Sequence, residues 1–341
     1  MAIRVREDIR KVLEDAGYRI YNHSGVEVCT WTKKALTQGE FCYKNKFYGV
    51  DTHRCMQISQ AVAWCTNRCI YCWRATEDFM PGAGVLPKDA VDAPGDILER
   101  LREMRAKLLS GFGGNEKVDR KMYEEALLPN HVTFSLMGEP FLYPYVPESV
   151  QYILDNWRWV KSVFIVTNGM VPDEVQRMKK MGVWPTQFYV SFTAPDPATY
   201  RKVSNPLYPD YWGRFLETLR TLSDAPVRKA ARITLIRGYN DFCFDGWAEL
   251  IQVYRPHFVE VKAYMYIGRS RQRLKEENMP THDYIREWAA ELCEHLDNFE
   301  HMDEHVASRV VVLKNVGEGM DIDPVIRGPL PNLRLQKRSG A

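Results

Sequence analysis

Residues 63–75, Ala63-Trp64-Cys65-Thr66-Asn67-Arg68-Cys69-Ile70-Tyr71-Cys72-Trp73-Arg74-Ala75, set the reading of the chain. The stretch holds three cysteines spaced C-x3-C-x2-C. It follows a β-rich run, Met56 to Ala63, so the thiols belong to a loop leaving the first strand. Three thiolates are one donor short of a closed site, because structural zinc takes four ligands and iron–sulfur cubanes usually take four cysteines. The trio therefore suggests a cluster with one iron open to an outside ligand. A zinc loop completed by a distant His or Cys is the competing reading.

Upstream, Cys29, Cys42 and Cys55 form a second trio, spaced by thirteen residues twice and then by ten from Cys65. It suggests another cluster with an open iron, or a zinc site completed by His23 or His53. Six of the eight cysteines lie between Cys29 and Cys72. In a reducing compartment such crowding points to metal and not to disulfides. Cys243 and Cys293 stand in amphipathic contexts and read as core thiols.

Downstream the pattern turns regular. Strands are expected near 131–137, 162–167, 187–192, 232–236 and 258–265. Helices alternate with them near 94–110, 146–157, 173–181, 211–222 and 247–254. Repeated βα units imply an α/β fold with a parallel sheet, and about six units suit a partial barrel better than a closed eight-stranded one. Ligands in such folds gather at the C-terminal ends of the strands. An amphipathic helix over 2–16 opens the chain, the stretch 20–64 shows no sustained period and reads as irregular, and a helix at 282–296 with a strand at 308–313 closes it. The expected division is an N-terminal extension (1–60), a barrel core (61–270) and a C-terminal extension (271–341) ending in a basic tail with Arg327, Arg334, Lys337 and Arg338.

Composition excludes several classes. The 341 residues are 45% apolar and 26% charged, with no run of eighteen apolar residues, so wholesale disorder and a membrane-spanning helix are both excluded. The N-terminus lacks an apolar h-region, and the chain reads as cytoplasmic. Forty-six Lys and Arg against 44 Asp and Glu leave +2, which rules out a uniformly basic coat but not a local patch. One candidate patch is the run Lys262 to Lys275, where Lys262, Arg269, Arg271, Arg273 and Lys275 occur without an acid. Beside it, Tyr264, Tyr266 or Trp73 could stack on a base. His295, His301 and His305, placed on a helix end and loop with acids nearby, read as a solvated face.

The octapeptide Cys65 to Cys72, with Tyr71 before the last cysteine, resembles the signature of the radical S-adenosylmethionine (SAM) superfamily. The resemblance implies a partial (β/α)6 barrel and a [4Fe-4S] cluster on Cys65, Cys69 and Cys72, whose open iron chelates the amine and carboxylate of SAM. One-electron reduction would then give methionine and a 5′-deoxyadenosyl radical. It also implies SAM contacts from Tyr71 and from residues at strand exits: Gly138, Glu139 and Pro140, then Thr167 and Asn168, then Ser191.

With both trios counted, residues 29–270 are similar to the tRNA 4-demethylwyosine synthases of wybutosine synthesis. This resemblance implies two [4Fe-4S] clusters and a reaction on tRNA-Phe carrying N1-methylguanosine just 3′ of the anticodon (m1G37), with pyruvate as the two-carbon donor. A methyl on a ring nitrogen has no acidic hydrogen, so homolytic abstraction is a credible entry. Lys44, two residues after the second upstream cysteine, corresponds to the lysine proposed in this family to form a Schiff base with pyruvate. Alternatively, pyruvate chelates the upstream cluster and Lys44 neutralises its carboxylate. Nothing resembles the flavodoxin-like domain of eukaryotic members, so the likeness is to the shorter archaeal type and implies an external donor of ferredoxin or flavodoxin type. Another radical SAM enzyme acting on RNA, or a zinc-stabilised RNA-binding module without catalysis, are the alternatives.

Overall fold

Proline and glycine punctuation divides the chain into short strands and helices, and a computed structural model describing residues 2–82 and 84–327 shows how they assemble. The chain opens with α1 (Glu7–Asp15), which buries Ile9 and Leu13 but leaves Val12 exposed. The hairpin β1 (Arg19–Tyr21) and β2 (Ser24–Glu27) follows, then α2 (Thr30–Gln38), α3 (Tyr43–Tyr48) and β3 (Cys55–Ser59). The stretch 20–64 is thus not irregular. Its elements are too short for their periodicity to show, and tertiary contacts hold them.

After α4 (Pro94–Leu109) and α5 (Arg120–Leu127), strands and helices alternate as β4 (His131–Phe134), α6 (Val146–Asn156), β5 (Ser162–Thr167), α7 (Pro172–Met181) and β6 (Gln187–Phe192). They continue as α8 (Pro197–Ser204), α9 (Tyr211–Ser223), β7 (Arg228–Leu235), α10 (Phe244–Tyr254) and β8 (Phe258–Ala263). Pro94, Pro172 and Pro197 open α4, α7 and α8, where a missing N–H costs no helical bond. The chain then forms α11 (His282–Glu294), β9 (Phe299–His305) and β10 (Val310–Asn315). His301 and His305 therefore lie on a strand, not on a helix end and loop. Cys243 is exposed at the start of α10 with φ +60°, so it is no core thiol.

All ten strands form one sheet in the order β1-β2-β3-β4-β5-β6-β7-β8-β10-β9. From β3 to β8 the pairing is parallel, six strands of a partial (β/α)6 barrel, and both flanks are antiparallel. The sheet does not close on itself. α2 and α3 reach the far edge instead: Lys46 pairs with Asp303 of β9 at 2.7 Å, and Trp31 meets His305 edge-on. Across the N-terminal ends of the strands, Arg228 donates to the carbonyls of Asp323 and Pro324, both at 2.7 Å, while Ile322 and Ile326 pack with Tyr48, Phe164 and Phe258. Arg327 pairs with Asp323; Arg334, Lys337 and Arg338 of the basic tail lie outside the described residues.

Candidate active site

The loop that leaves the C-terminal end of β3 carries Cys65, Cys69 and Cys72 and is braced on three sides. Arg68 N and Ile70 N donate to the carbonyls of Ser204 and Val203 in α8, at 3.0 and 2.9 Å. Arg273 donates to the carbonyls of Ile70 and Cys72 and to Thr76 Oγ1. Gly138 (φ +77°) approaches so closely that a Cβ there would stand 2.3 Å from the carbonyl oxygens of Ala61 and Trp64. Burial, then the charge of Cys69, pushes the Cys65 thiol up to about 12. Burial, then Cys72, pushes Cys69 up to about 12, and Cys72 in turn is raised to about 11 by burial and by Cys65. Three thiols so coupled become thiolates together only around positive charge.

Glu139 is buried and ties two strand exits to this loop. It accepts from Thr167 Oγ1 at 2.6 Å, Asn168 N at 2.8 Å and Phe141 N at 3.2 Å, while its own N donates to the Trp64 carbonyl at 2.9 Å. Burial pushes its carboxyl up to about 7 against those donors. Asn168 Nδ2 reaches Thr66 Oγ1 at 2.8 Å and Cys65 Sγ at 3.7 Å. The structure thus brings Gly138, Glu139, Thr167 and Asn168 together against the cysteine loop. Pro140 follows as the first residue of a short 3-10 turn. Tyr71 lies against the Cys69 thiol, and Ser191 sits farther round the barrel, in register with Arg232.

The second trio gathers at the other end of β3. Cys29 caps α2, with Thr32 N donating to its Sγ at 3.4 Å; Cys42 precedes α3; Cys55 is the first residue of β3. Burial, then the charge of Cys29, pushes Cys55 up to about 12, and Cys42 acts on it in the same direction. Neither proposed histidine completes a zinc set. His23 is held by the Gln60 carbonyl and the backbone N–H of Asp92, and His53 by Glu125 at 2.7 Å. Among the described residues no three His, Cys, Asp or Glu side chains gather tightly round one ion. Arg105, wholly buried, donates to the Cys55 carbonyl at 2.9 Å and places a fixed cation beside this trio.

Lys44, on the first turn of α3, points into the barrel, whereas Lys46 lies on the surface. Its Nζ stands 5.0 Å from the centroid of Phe164 in β5 and 5.9 Å from that of Tyr189 in β6. Burial lowers its pKa most; Arg232 lowers it further, while Cys55 and Cys42 oppose.

Comparison with known proteins agrees with this geometry. Residues 60–251 match the radical SAM superfamily, and residues 254–315 match the wyosine base formation family. The tRNA 4-demethylwyosine synthase of Pyrococcus horikoshii is 44% identical over 319 residues, covering 93% of this chain and 90% of that protein. The chain belongs to the tRNA 4-demethylwyosine synthase family. The synthase of Methanocaldococcus jannaschii is 36% identical over 94% of this chain and 99% of its own. A solved structure of TYW1 with a lysine–pyruvate adduct bound superposes with a TM-score of 0.82 at 36% identity, again over 94% and 99% of the two chains. The chain is therefore a radical SAM enzyme, and membership implies a [4Fe-4S] cluster and SAM. Among the described residues no helix is long and apolar enough to cross a membrane.

At the strand-exit rim the structure corrects part of the sequence reading of a basic patch. Arg269, Arg271 and Lys275 are exposed, and Lys275 stands 3.6 Å from Glu277. Lys262 instead faces the barrel interior: its Nζ donates to the Ser308 carbonyl at 2.6 Å and lies over the Tyr43 ring. Arg273 is occupied by the cysteine loop and by Glu77. Tyr264 is buried, its hydroxyl on Ser270, so only Trp73, 43% exposed, and the partly buried Tyr266 keep accessible rings. Adjacency in sequence does not reveal the pairs Lys202 over Tyr239 and Arg237 over Tyr284, because α8 and α11 each place one member against the loop after β7.

Proposed function

We propose that this chain converts m1G37 of tRNA-Phe to 4-demethylwyosine, with pyruvate supplying two carbons of the new ring and an external donor of ferredoxin or flavodoxin type supplying electrons. The SAM cluster is held by Cys65, Cys69 and Cys72, and a second [4Fe-4S] cluster by Cys29, Cys42 and Cys55. With the first cluster and SAM bound, one-electron reduction supplies the carbon radical that takes a hydrogen atom from the N1-methyl group.

The chain's own residues arrange the rest. Gly138 lets the strand-exit loop lie against the cysteine loop, and Glu139 holds Thr167 and Asn168 at the edge where SAM binds. Lys44 is the nucleophile toward pyruvate. Its neutral amine adds to the keto carbon and water leaves, so a lysine kept in a desolvated barrel is suited to the role. The rings of Phe164 and Tyr189 beside it shield the amine from bulk water. Arg269, Arg271 and Lys275, with Lys202 and Arg237, meet phosphates at the rim, while Trp73 or Tyr266 stacks on a displaced base.

The observation that carries this reading is Lys44, inside the barrel beside Cys42, Cys55 and the rings of Phe164 and Tyr189. The adduct named for the related structure supports it. The test is Lys44→Ala in anaerobically reconstituted enzyme. Nucleoside mass spectrometry should show no 4-demethylwyosine while 5′-deoxyadenosine still forms; unchanged tRNA turnover would refute the assignment.

A further inference from the structure

One carboxylate inside the barrel collects four donors. Glu260, in β8, is wholly buried. Its Oε1 accepts from Tyr48 Oη at 2.8 Å and Tyr189 Oη at 3.0 Å, and its Oε2 accepts from Tyr43 Oη at 3.2 Å and Arg232 Nε at 3.0 Å. Arg232 also donates to Tyr43 Oη. A carboxylate offers about four lone-pair sites, so this one is saturated, and a satisfied buried network fixes a single arrangement.

The identity of the donors gives the network its purpose. Tyr43 and Tyr48 are the first and last residues of α3, and Lys44 lies between them. Tyr189 contributes one of the two rings beside Lys44 Nζ. A helix of six residues has no stability of its own, so its outside anchors decide where it sits. Glu260 therefore holds both ends of the helix that carries Lys44 and one wall of the space that its amine enters. It also neutralises Arg232, whose guanidinium lies 4.6 Å from the centroid of the same Tyr189 ring. An unpaired guanidinium there would draw an incoming carboxylate to itself.

We propose that Glu260 is the positioning residue for Lys44: through Tyr43, Tyr48 and Tyr189 it sets the amine where an α-keto acid is captured, and by pairing Arg232 it leaves that acid free to reach the lysine. The inference rests on the keto-acid reading of Lys44. It adds a residue that touches neither substrate nor cluster ligand.

The test traps the adduct directly. Anaerobically loaded enzyme is incubated with saturating pyruvate, reduced with borohydride, and peptide-mapped by mass spectrometry. Iron per chain and 5′-deoxyadenosine release are measured alongside. In Glu260→Gln the adduct at Lys44 should fall at least tenfold, with iron and 5′-deoxyadenosine at wild-type levels. Tyr43→Phe and Tyr48→Phe, which keep the rings and remove one hydroxyl each, should each lose several-fold. Wild-type adduct yield in Glu260→Gln overturns the inference. So does a parallel fall of adduct, iron and 5′-deoxyadenosine in all three variants, which would show a role in folding alone. Absence of the Lys44 adduct in the wild-type enzyme would instead refute the keto-acid reading and take this inference with it.

Discussion

Gly138→Ala tests whether the cysteine loop depends on close backbone approach. The residue has φ +77°, and an L side chain in that region costs about 1–2 kcal/mol. The added Cβ would stand 2.3 Å from the Ala61 and Trp64 oxygens, where C···O contacts normally begin at about 3.3 Å, so each carbonyl must retreat by roughly 1 Å. Overpacking costs about 1–3 kcal/mol. Both obstacles here are backbone, and the Trp64 carbonyl would also loosen its bond from Glu139 N, worth about 1 kcal/mol. The total, about 3–6 kcal/mol, is a large part of a domain's stability. The chain relieves it by moving the segment that ends one residue before Cys65. We expect a folded protein with reduced iron and 5′-deoxyadenosine formation down more than a hundredfold, read by anaerobic iron analysis and chromatography. Gly169→Ala is the control. It shares the backbone strain at φ +80°, but its nearest obstacle is the Phe215 ring at 3.0 Å, which can give, so it should lose only about 1–2 kcal/mol of stability and keep its iron. Wild-type iron and 5′-deoxyadenosine in Gly138→Ala, or equal damage in both variants, would refute the reasoning.

Three further outcomes follow from the site and its frame. Cys55 and the loop of Cys65 lie at opposite ends of β3, whose four residue steps span roughly 13 Å. Cys65→Ala should therefore abolish 5′-deoxyadenosine yet still form the trapped lysine adduct, and Cys42→Ala should do the reverse; loss of both readouts in either variant would count against two separable centres. Replacing Arg269, Arg271 and Lys275 with Gln should lower the slope of log affinity for tRNA against log salt by about 2–3, and an unchanged slope would remove this rim from the interface. Lys229, buried with Nζ donating to the carbonyls of Leu222 and Ser223, is lowered by burial to about 8. Between about 8 and 10.5 the unfolded chain then binds more protons than the native one, so this lysine makes stability rise with pH by up to about 3 kcal/mol, and the gain is lost as pH falls through 8. Calorimetry of wild type and Lys229→Met from pH 7.5 to 10.5 should show wild type gaining relative to the variant, and a constant difference would contradict the burial argument.

The strands and helices from residue 131 to 263, α8 excepted, are legible because β-rich runs and amphipathic stretches alternate in a repeating order, and the cysteine spacing is legible because a ligand trio is local. The lumen is not. Phe258-Val259-Glu260-Val261-Lys262 alternates like a strand with one wet face, and only the packing of α3 and β10 against the open barrel turns Glu260 and Lys262 inward. That is why Lys262 reads as a surface base. Arg273 misleads for a different reason: its donors are taken by the carbonyls of a loop two hundred residues earlier, a pairing that adjacency to Arg271 hides. The elements between residues 19 and 48 escape because three to nine residues cannot define a period, and contacts with the sheet hold them in place.

The polar lumen has a physical consequence for ligand choice. Lys44, Arg232 and Lys262 lie round the carboxylate of Glu260, so among the described residues this group holds more positive than negative charge whenever the lysines are protonated. Burial lowers both lysines, Lys262 to about 8, which is the fold's own way of limiting that surplus. A cation surplus in a low-dielectric space weakens the empty barrel and strengthens the hold on anything anionic that enters. Held as cluster ligands, Cys42 and Cys55 would supply part of the compensation from one side. On the proposed reading a small carboxylate would supply the rest from the other, and a keto acid would bring its carbonyl carbon to Lys44, the amine of the group that is not already bonded to a backbone carbonyl. Lys262 is committed to Ser308, whereas Lys44 rests on two aromatic rings, and this difference is why the proposed reading gives the reaction to Lys44.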